Sequence, residues 1–294
     1  MFDKNNSFER YVSTISGGLI PLRRLLLEII GIVISSFNPK ALFLLLGPKN
    51  SGKSTFIRLL SLLVGDECVL EINDLNDLCK NGWLIAELVG KRLCACSEQP
   101  KVSLLNNTVA ILKRLSGGDL VQGERKYQNP FKFYNEASIV FASNDPLILP
   151  YRDEALLNRI VVCPFKHSLN KSEQIPDLEK MLMRESGYIV YHACEALKGL
   201  IANNFEFTQI GDYTSSWSSV PDENILQRFF DECCDFDTES LETTDDIYSE
   251  LSKYCDGSPP VSKEGIGRYL SQTLGLIHYK SSTHRGYRGI KIIR

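Results

Sequence analysis

The chain has little with which to hold a structural metal. It carries four histidines and nine cysteines in 294 residues, yet no CxxC pair and no His/Cys set at zinc-ligand spacing. The cysteines therefore read as reduced thiols, which predicts a cytosol-like, cytoplasmic compartment. Long apolar runs are missing too. The longest, LLLEIIGIVI (25–34), is interrupted by Glu28 and too short to span a bilayer, which predicts a core helix and no membrane partner. MFDKNNSFER is acidic and polar where a signal peptide would be apolar. Repeats and low-complexity tracts are absent. Net charge is only −3, so nucleic-acid binding has to be argued from local patches. What remains is an ordinary globular composition, 43% hydrophobic and 23% charged, long enough for one large domain or two smaller ones.

Along the chain, residues 7–35 read as helical, broken by SGG at 16–18 and restarted at Pro21. From 41 to about 165 the short apolar runs ALFLLL, RLCACS, SIVFAS and RIVVCPF alternate with helical segments. That alternation predicts an α/β layer with a buried, largely parallel sheet. Residues 176–202 have helical periodicity with a break near Gly187, and 207–221 is the best linker. The chain thus divides into an N-terminal helical segment (1–40), an α/β domain with a helical end (41–206), the linker, and a C-terminal domain (222–294). In this last domain charge splits: 12 acidic and 2 basic residues from Asp222 to Asp256, then 7 basic and 1 acidic from Val261 to Arg294. A helix at 262–275, then LIHYKSSTHRGYRGIKII as two strands around a polar turn, gives the layout of a winged helix.

The strongest local signal is GPKNSGKS (47–54), which meets the full phosphate-loop pattern between a strand and a helix. Glycines at 47 and 52 let the backbone curl so that its N–H groups face phosphate oxygens, and the helix N-terminus adds its positive end. Lys53 is placed for the β- and γ-phosphates and Ser54 for Mg²⁺. Three later stretches offer what a nucleotide-driven motor needs. Glu98 closes the strand 92–97, where α/β sheets place ligands. Asn144 closes SIVFAS, and Arg159 precedes RIVVCPF. Cys94 and Cys96 fall on one strand face and read as packing.

Taken in order, GPKNSGKST, GKRLCACSE, LKRLSGGDLVQGERKYQNPFKF, SIVFASNDP and LLNRIVVCPF resemble the superfamily 3 (AAA+) DNA helicases, above all the helicase part of poxvirus-, phage- and plasmid-type primase–helicases. The likeness covers about residues 40–165 and continues into the helical segment and the C-terminal domain. It implies an AAA+ P-loop core with a parallel sheet and a C-terminal winged helix, ATP and Mg²⁺ as cofactors, and single-stranded and forked DNA as partners. It also implies a homo-oligomeric ring, a hexamer, in a host cytosol and encoded by a mobile element.

Carried over by residue, the resemblance makes Gly47, Pro48, Lys49, Asn50, Ser51, Gly52, Lys53, Ser54 and Thr55 the nucleotide loop. Glu98 becomes the carboxylate that polarises water and, with Ser54, serves the metal. Asn144 becomes the sensor, and Arg159 the arginine finger for the adjacent subunit. Arg125, Lys126 and Tyr127 fall near the tip of a hairpin that grips single-stranded DNA. Arg268, Lys280, Arg285, Arg288 and Lys291 would give the C-terminal domain its DNA contacts, or else the solvated face of a protein-docking domain.

Three departures qualify the resemblance. Ser97 stands where many members have a second acid. Only about 40 residues precede the P-loop, so the collar is expected to be reduced. No primase segment is evident, which leaves that role to a separate primase or polymerase. An alternative of another class shares every site named: a non-unwinding, DNA-dependent ATPase acting as initiator or loader. A small-molecule P-loop kinase would need neither the hairpin nor the C-terminal domain.

Overall fold

The runs ALFLLL, RLCACS, SIVFAS and RIVVCPF become neighbouring strands of one sheet, as expected for segments apolar on both faces. The computed structural model describes residues 6–150, 153–170, 175–211, 213, 223–237, 239–254, 261, 263–280 and 285–293. The chain forms two compact units, Met1–Trp217 and Ser218–Arg294. Among the described residues no helix is long and apolar enough to cross a membrane.

Unit 1 begins with α1 (Ser7–Ser16) and α2 (Ile20–Ile34), then β1 (Leu42–Leu46) and α3 (Lys53–Val64). There follow β2 (Val69–Glu71), α4 (Leu75–Lys80), α5 (Gly82–Glu87), β3 (Leu93–Cys96) and α6 (Asn106–Gly117). An antiparallel hairpin, β4 (Leu120–Gly123) with β5 (Phe131–Tyr134), leads into β6 (Ser138–Ser143). The unit closes with α7 (Glu154–Leu157), β7 (Ile160–Pro164), α8 (Leu178–Arg184) and α9 (Ser186–Ala202). The sheet order is β2-β3-β6-β1-β7, all parallel. Such a five-stranded parallel sheet fits a P-loop core. The short β2 was not legible as a strand in the sequence.

Strand alternation sorts the core into two layers. Leu93 and Ala95 of β3 join one apolar cluster with α1, α2 and α9, whereas Cys94 and Cys96 join the other with α4 and α6. α1 and α2, read from sequence as a segment apart, contribute much of the first cluster. Glu28, which interrupts the apolar run of α2, is fully buried. Its carboxylate accepts from Thr208 N at 2.9 Å, Thr208 Oγ1 at 2.8 Å and Arg24 Nε at 2.9 Å, which satisfies a charge that would otherwise be costly to bury. Phe207, at the start of the expected linker, packs edge-on against Phe43. Residues 212 and 214–221 of that linker lie outside the described residues.

Unit 2 contains α10 (Glu223–Cys233), β8 (Cys234–Asp235), β9 (Leu241–Thr243), α11 (Thr244–Tyr254) and α12 (Lys263–Gln272). It ends with β10 (Ile277–Lys280), β11 (Arg285–Arg288) and β12 (Lys291–Ile292). The strands pair in the order β10-β11-β9, with β12 against β8, over a core of its own that includes Phe229, Phe230, Ile247, Leu251, Ile266 and Leu270. Ser262, where the expected helix begins, and residues 281–284 of the expected polar turn lie outside the described residues.

Candidate functional site

The C-terminal ends of three adjacent strands bring the chemistry together. Gly47 follows β1, Asn144 follows β6, and Glu98 stands just past β3, the strand beyond β6. Gly47 is required by a close approach: a Cβ there would lie 1.9 Å from the carbonyl oxygen of Phe165. Asn50 and Gly52 take positive φ, 58° and 93°, which curls the loop into the start of α3. No side chain caps α3. Its leading N–H groups, which lack intrahelical partners by construction, are thus available to an anion.

Lys53, nearly buried, folds back over this loop. Its Nζ donates to Gly47 O at 2.7 Å, Pro48 O at 2.6 Å, Ser51 Oγ at 3.3 Å and Asn144 Oδ1 at 3.0 Å. Asn144 Nδ2 donates in turn to Glu98 Oε1 at 3.4 Å. Cation, amide and carboxylate thus form one hydrogen-bonded line across β1, β6 and β3. Burial pulls the Lys53 ammonium below its ordinary pKa, and the negative Glu98 opposes that shift.

Glu98 itself is exposed, on a turn anchored by the buried residue after it. Gln99 Nε2 donates to Asp74 Oδ1 at 2.8 Å, Gln99 Oε1 accepts from Leu75 N at 3.0 Å, and Gln99 N donates to Ala142 O at 2.7 Å. Sequence reading missed Gln99, because its partners come from α4 and β6. The two cysteines before Glu98 are buried, and burial pushes the Cys96 thiol up to about 12 and raises Cys94 further. They are packing, not ligands. Among the described residues no group of three His, Cys, Asp or Glu side chains is placed to hold a metal.

A cavity of about 530 Å³ lies along the loop, walled by Tyr11 and Thr14 of α1, Ser51–Thr55, Leu169, Ile175 and the start of α8. Tyr11 donates to Gly52 O at 2.9 Å, so α1 is fastened to the phosphate loop. The N-terminus of α1 is capped from a distance by Glu185, which accepts from Ser7 N at 2.9 Å and Phe8 N at 3.0 Å. Glu9 accepts from Tyr188 at 2.8 Å and pairs with Arg23, and these partners hold its carboxyl below the usual range against the opposing effect of burial. Tyr11 and Thr14 could not be found by motif, since they sit about 40 residues before the loop they line.

Arg159 does not join its own chain's site. It precedes β7, at the edge of the sheet opposite the P-loop, about 16 Å away by the rise of five strand residues. Its Nη1 donates to Ala155 O at 2.6 Å, while its buried Nε has no hydrogen-bond partner among the described residues.

The hairpin β4–β5 presents Arg125, Lys126 and Tyr127 at its turn. Tyr127 is 94% exposed, with φ 61°; Arg125 lies over the Phe131 ring at 4.8 Å and Lys126 over the Tyr127 ring at 5.3 Å. In unit 2 the cations Arg268, Lys280, Arg285, Arg288 and Lys291 are all exposed. Arg268 and Arg285 line one cleft of about 840 Å³ with His278, Lys263 and two acids, Asp245 and Glu264. Lys280 stands opposite Arg285 in the strand register, and Arg288 opposite Ile277.

A family model described as a family of unknown function (DUF5906) matches residues 45–159, from the P-loop through Arg159 and less than half of the chain. The apo A form of the NrS-1 C-terminal region is similar over 97% of this chain and 75% of that one, with a TM-score of 0.52 at 10% identity. A second apo structure, of the NrS-1 C-terminal region 305–718, gives 0.50 at 12% identity with the same coverage. The chain shares the fold of the NrS-1 C-terminal region. JCV helicase is more distant, with a TM-score of 0.41 at 17% identity over 87% of this chain and 67% of that one.

Proposed function

We propose that the chain is an ATP-driven DNA helicase of superfamily 3 type, ring-forming, with each nucleotide site shared between two subunits. One observation carries this reading. Lys53, Asn144 and Glu98 converge on the phosphate loop, while Arg159 is held at the opposite end of the same sheet, away from that loop, a position that suits a nucleotide held by another chain. The uncapped helix, the curled loop and the buried lysine fit a nucleotide triphosphate. Ser54 and Glu98 fit a Mg²⁺ that keeps several waters and takes further oxygens from phosphate. The bound metal and nucleotide supply the electrophilic phosphorus and its charge neutralisation.

The chain's own residues then divide the work. Lys53 leaves its loop carbonyls for the β- and γ-phosphate oxygens. Glu98 accepts a proton from the attacking water, and Asn144, already hydrogen-bonded to Glu98, orients that water. Arg159 of a neighbour stabilises the charge on the phosphoryl oxygens, a contribution of about 10³–10⁵ in rate. The hairpin tips, with a cation beside an exposed aromatic, suit a single strand passing through the ring. Unit 2 reads as a winged helix that meets forked or duplex DNA through the face of Arg268 and Arg285.

The test is Arg159→Ala in the full chain. Nucleotide binding is expected to stay intact while DNA-stimulated hydrolysis falls by about 10³-fold or more. Near-normal turnover contradicts the shared site. Strand displacement on a forked duplex separates a helicase from an initiator or loader, which hydrolyses ATP without processive unwinding.

A further inference from the structure

Arg159 stands at the end of α7, a helix of four residues that is too short to hold itself. The start of α7 is fixed by Asp153, whose Oδ1 accepts from Leu156 N at 2.8 Å and whose carbonyl accepts from Leu157 N at 2.9 Å. The other carboxylate oxygen of Asp153 accepts from Lys113 Nζ at 2.6 Å, and the two side chains are 8% and 29% exposed. A pair this sheltered from water is expected to be better ordered than the exposed ion pairs elsewhere on the unit.

Lys113 lies on α6, and α6 runs through Gly118 directly into β4 of the hairpin. Near its other end α6 approaches the arginine again: Nη2 of Arg159 lies 3.9 Å from where a Cβ on Gly117 would stand. One helix therefore braces the arginine's platform at its middle, passes beside the arginine at its end, and carries the hairpin beyond it.

We propose that Lys113 is a positioning residue for Arg159. Through Asp153 it fixes α7 and so sets the reach of the guanidinium toward a neighbouring subunit's nucleotide, and through α6 it ties that reach to the position of the hairpin. DNA held at the hairpin tip then bears on hydrolysis at the subunit interface. The inference rests on the arginine-finger reading given under the proposed function and adds to it the residue that aims the finger.

The experiment measures ATP hydrolysis by the full chain, with and without a single-stranded oligonucleotide, for Arg159→Ala, Lys113→Ala, Lys113→Arg and the double Lys113→Ala/Arg159→Ala. Lys113→Ala is expected to lower kcat in the presence of DNA by about 10- to 100-fold, the scale of a small misplacement of a reacting group, with KM for ATP unchanged. Lys113→Arg restores most of it, and the double variant is no slower than Arg159→Ala alone. Asp153→Asn, which keeps an acceptor for the helix cap but loses the charge, is expected to show the same kcat loss, and thermal midpoints of all variants well above the assay temperature guard against a folding defect. Normal kcat in Lys113→Ala beside an inactive Arg159→Ala overturns this inference and leaves the shared site standing, as do losses that multiply in the double variant. Full hydrolysis in Arg159→Ala overturns both.

Discussion

Lys53 concentrates the physics of this molecule in one side chain. It is a cation drawn out of water, solvated by two loop carbonyls, a hydroxyl and the Asn144 amide. On the proposed function those are the contacts it exchanges for phosphate, so its cost in the fold is also its readiness to bind. The buried thiols show the opposite use of burial. Cys79 and Cys96 of unit 1, and Cys234 of unit 2, are pushed up to about 12 by loss of water, and Cys163 is raised further. In an unfolded chain thiols lose their protons near about 8.5. Above that pH the native state binds more protons than the unfolded state, so stability is full below about pH 8.5 and declines as pH rises toward the folded values. Urea unfolding at pH 8 and pH 10 is expected to show a lower midpoint at the higher pH. An unchanged midpoint contradicts the burial of these thiols. At this scale the sequence was readable where a motif is local, as at GPKNSGKS. It was silent on Gln99, Tyr11 and Lys113, whose side-chain partners lie 24 to 41 residues away in sequence.

At the scale of elements, apolar runs and breaks gave most of the architecture. SGG at 16–18 does separate α1 from α2, and the helical stretch 176–202 does break, at Glu185. What periodicity could not supply was partnership: that α1 would wall the cavity along the phosphate loop, or that the three-residue β2 would extend the sheet. The hairpin is the element whose role most depends on its exposed tip. Pairing Leu120 with Tyr134 and Gln122 with Lys132 turns those residues outward, while Val121 and Gly123 pack inward. Replacing Lys126 and Tyr127 together with alanine removes the cation and the aromatic ring proposed to meet a phosphate and a base. The double variant is expected to weaken single-strand binding by about 10- to 100-fold, with a shallower salt dependence, as read by fluorescence anisotropy. Affinity equal to the parent would remove the hairpin from the DNA path.

At the scale of the whole molecule, the chain joins two units with different electrostatic tasks. Unit 2 has its own apolar core and a cleft where Arg268 and Arg285 meet, although Asp245 and Glu264 line it as well. A fragment of residues 218–294 is expected to bind forked DNA and to lose affinity steeply between low and moderate salt, the signature of phosphate contacts. Salt-independent or absent binding assigns this face to a protein partner. The charge split that points to such a face was legible in the sequence, but not the acids that share the cleft, because those sit on α11 and α12 and converge only in the fold. The proposed ring is the larger matter, since a site built from the phosphate loop of one copy and Arg159 of another would exist in no single chain. The measurement that bears on this most directly is ATP hydrolysis by a mixture of Glu98→Gln and Arg159→Ala subunits. Each variant alone is expected to be inactive. Mixed, they form interfaces in which an intact Glu98 faces an intact Arg159, and hydrolysis should return; a mixture as inactive as its components would contradict a site shared between subunits.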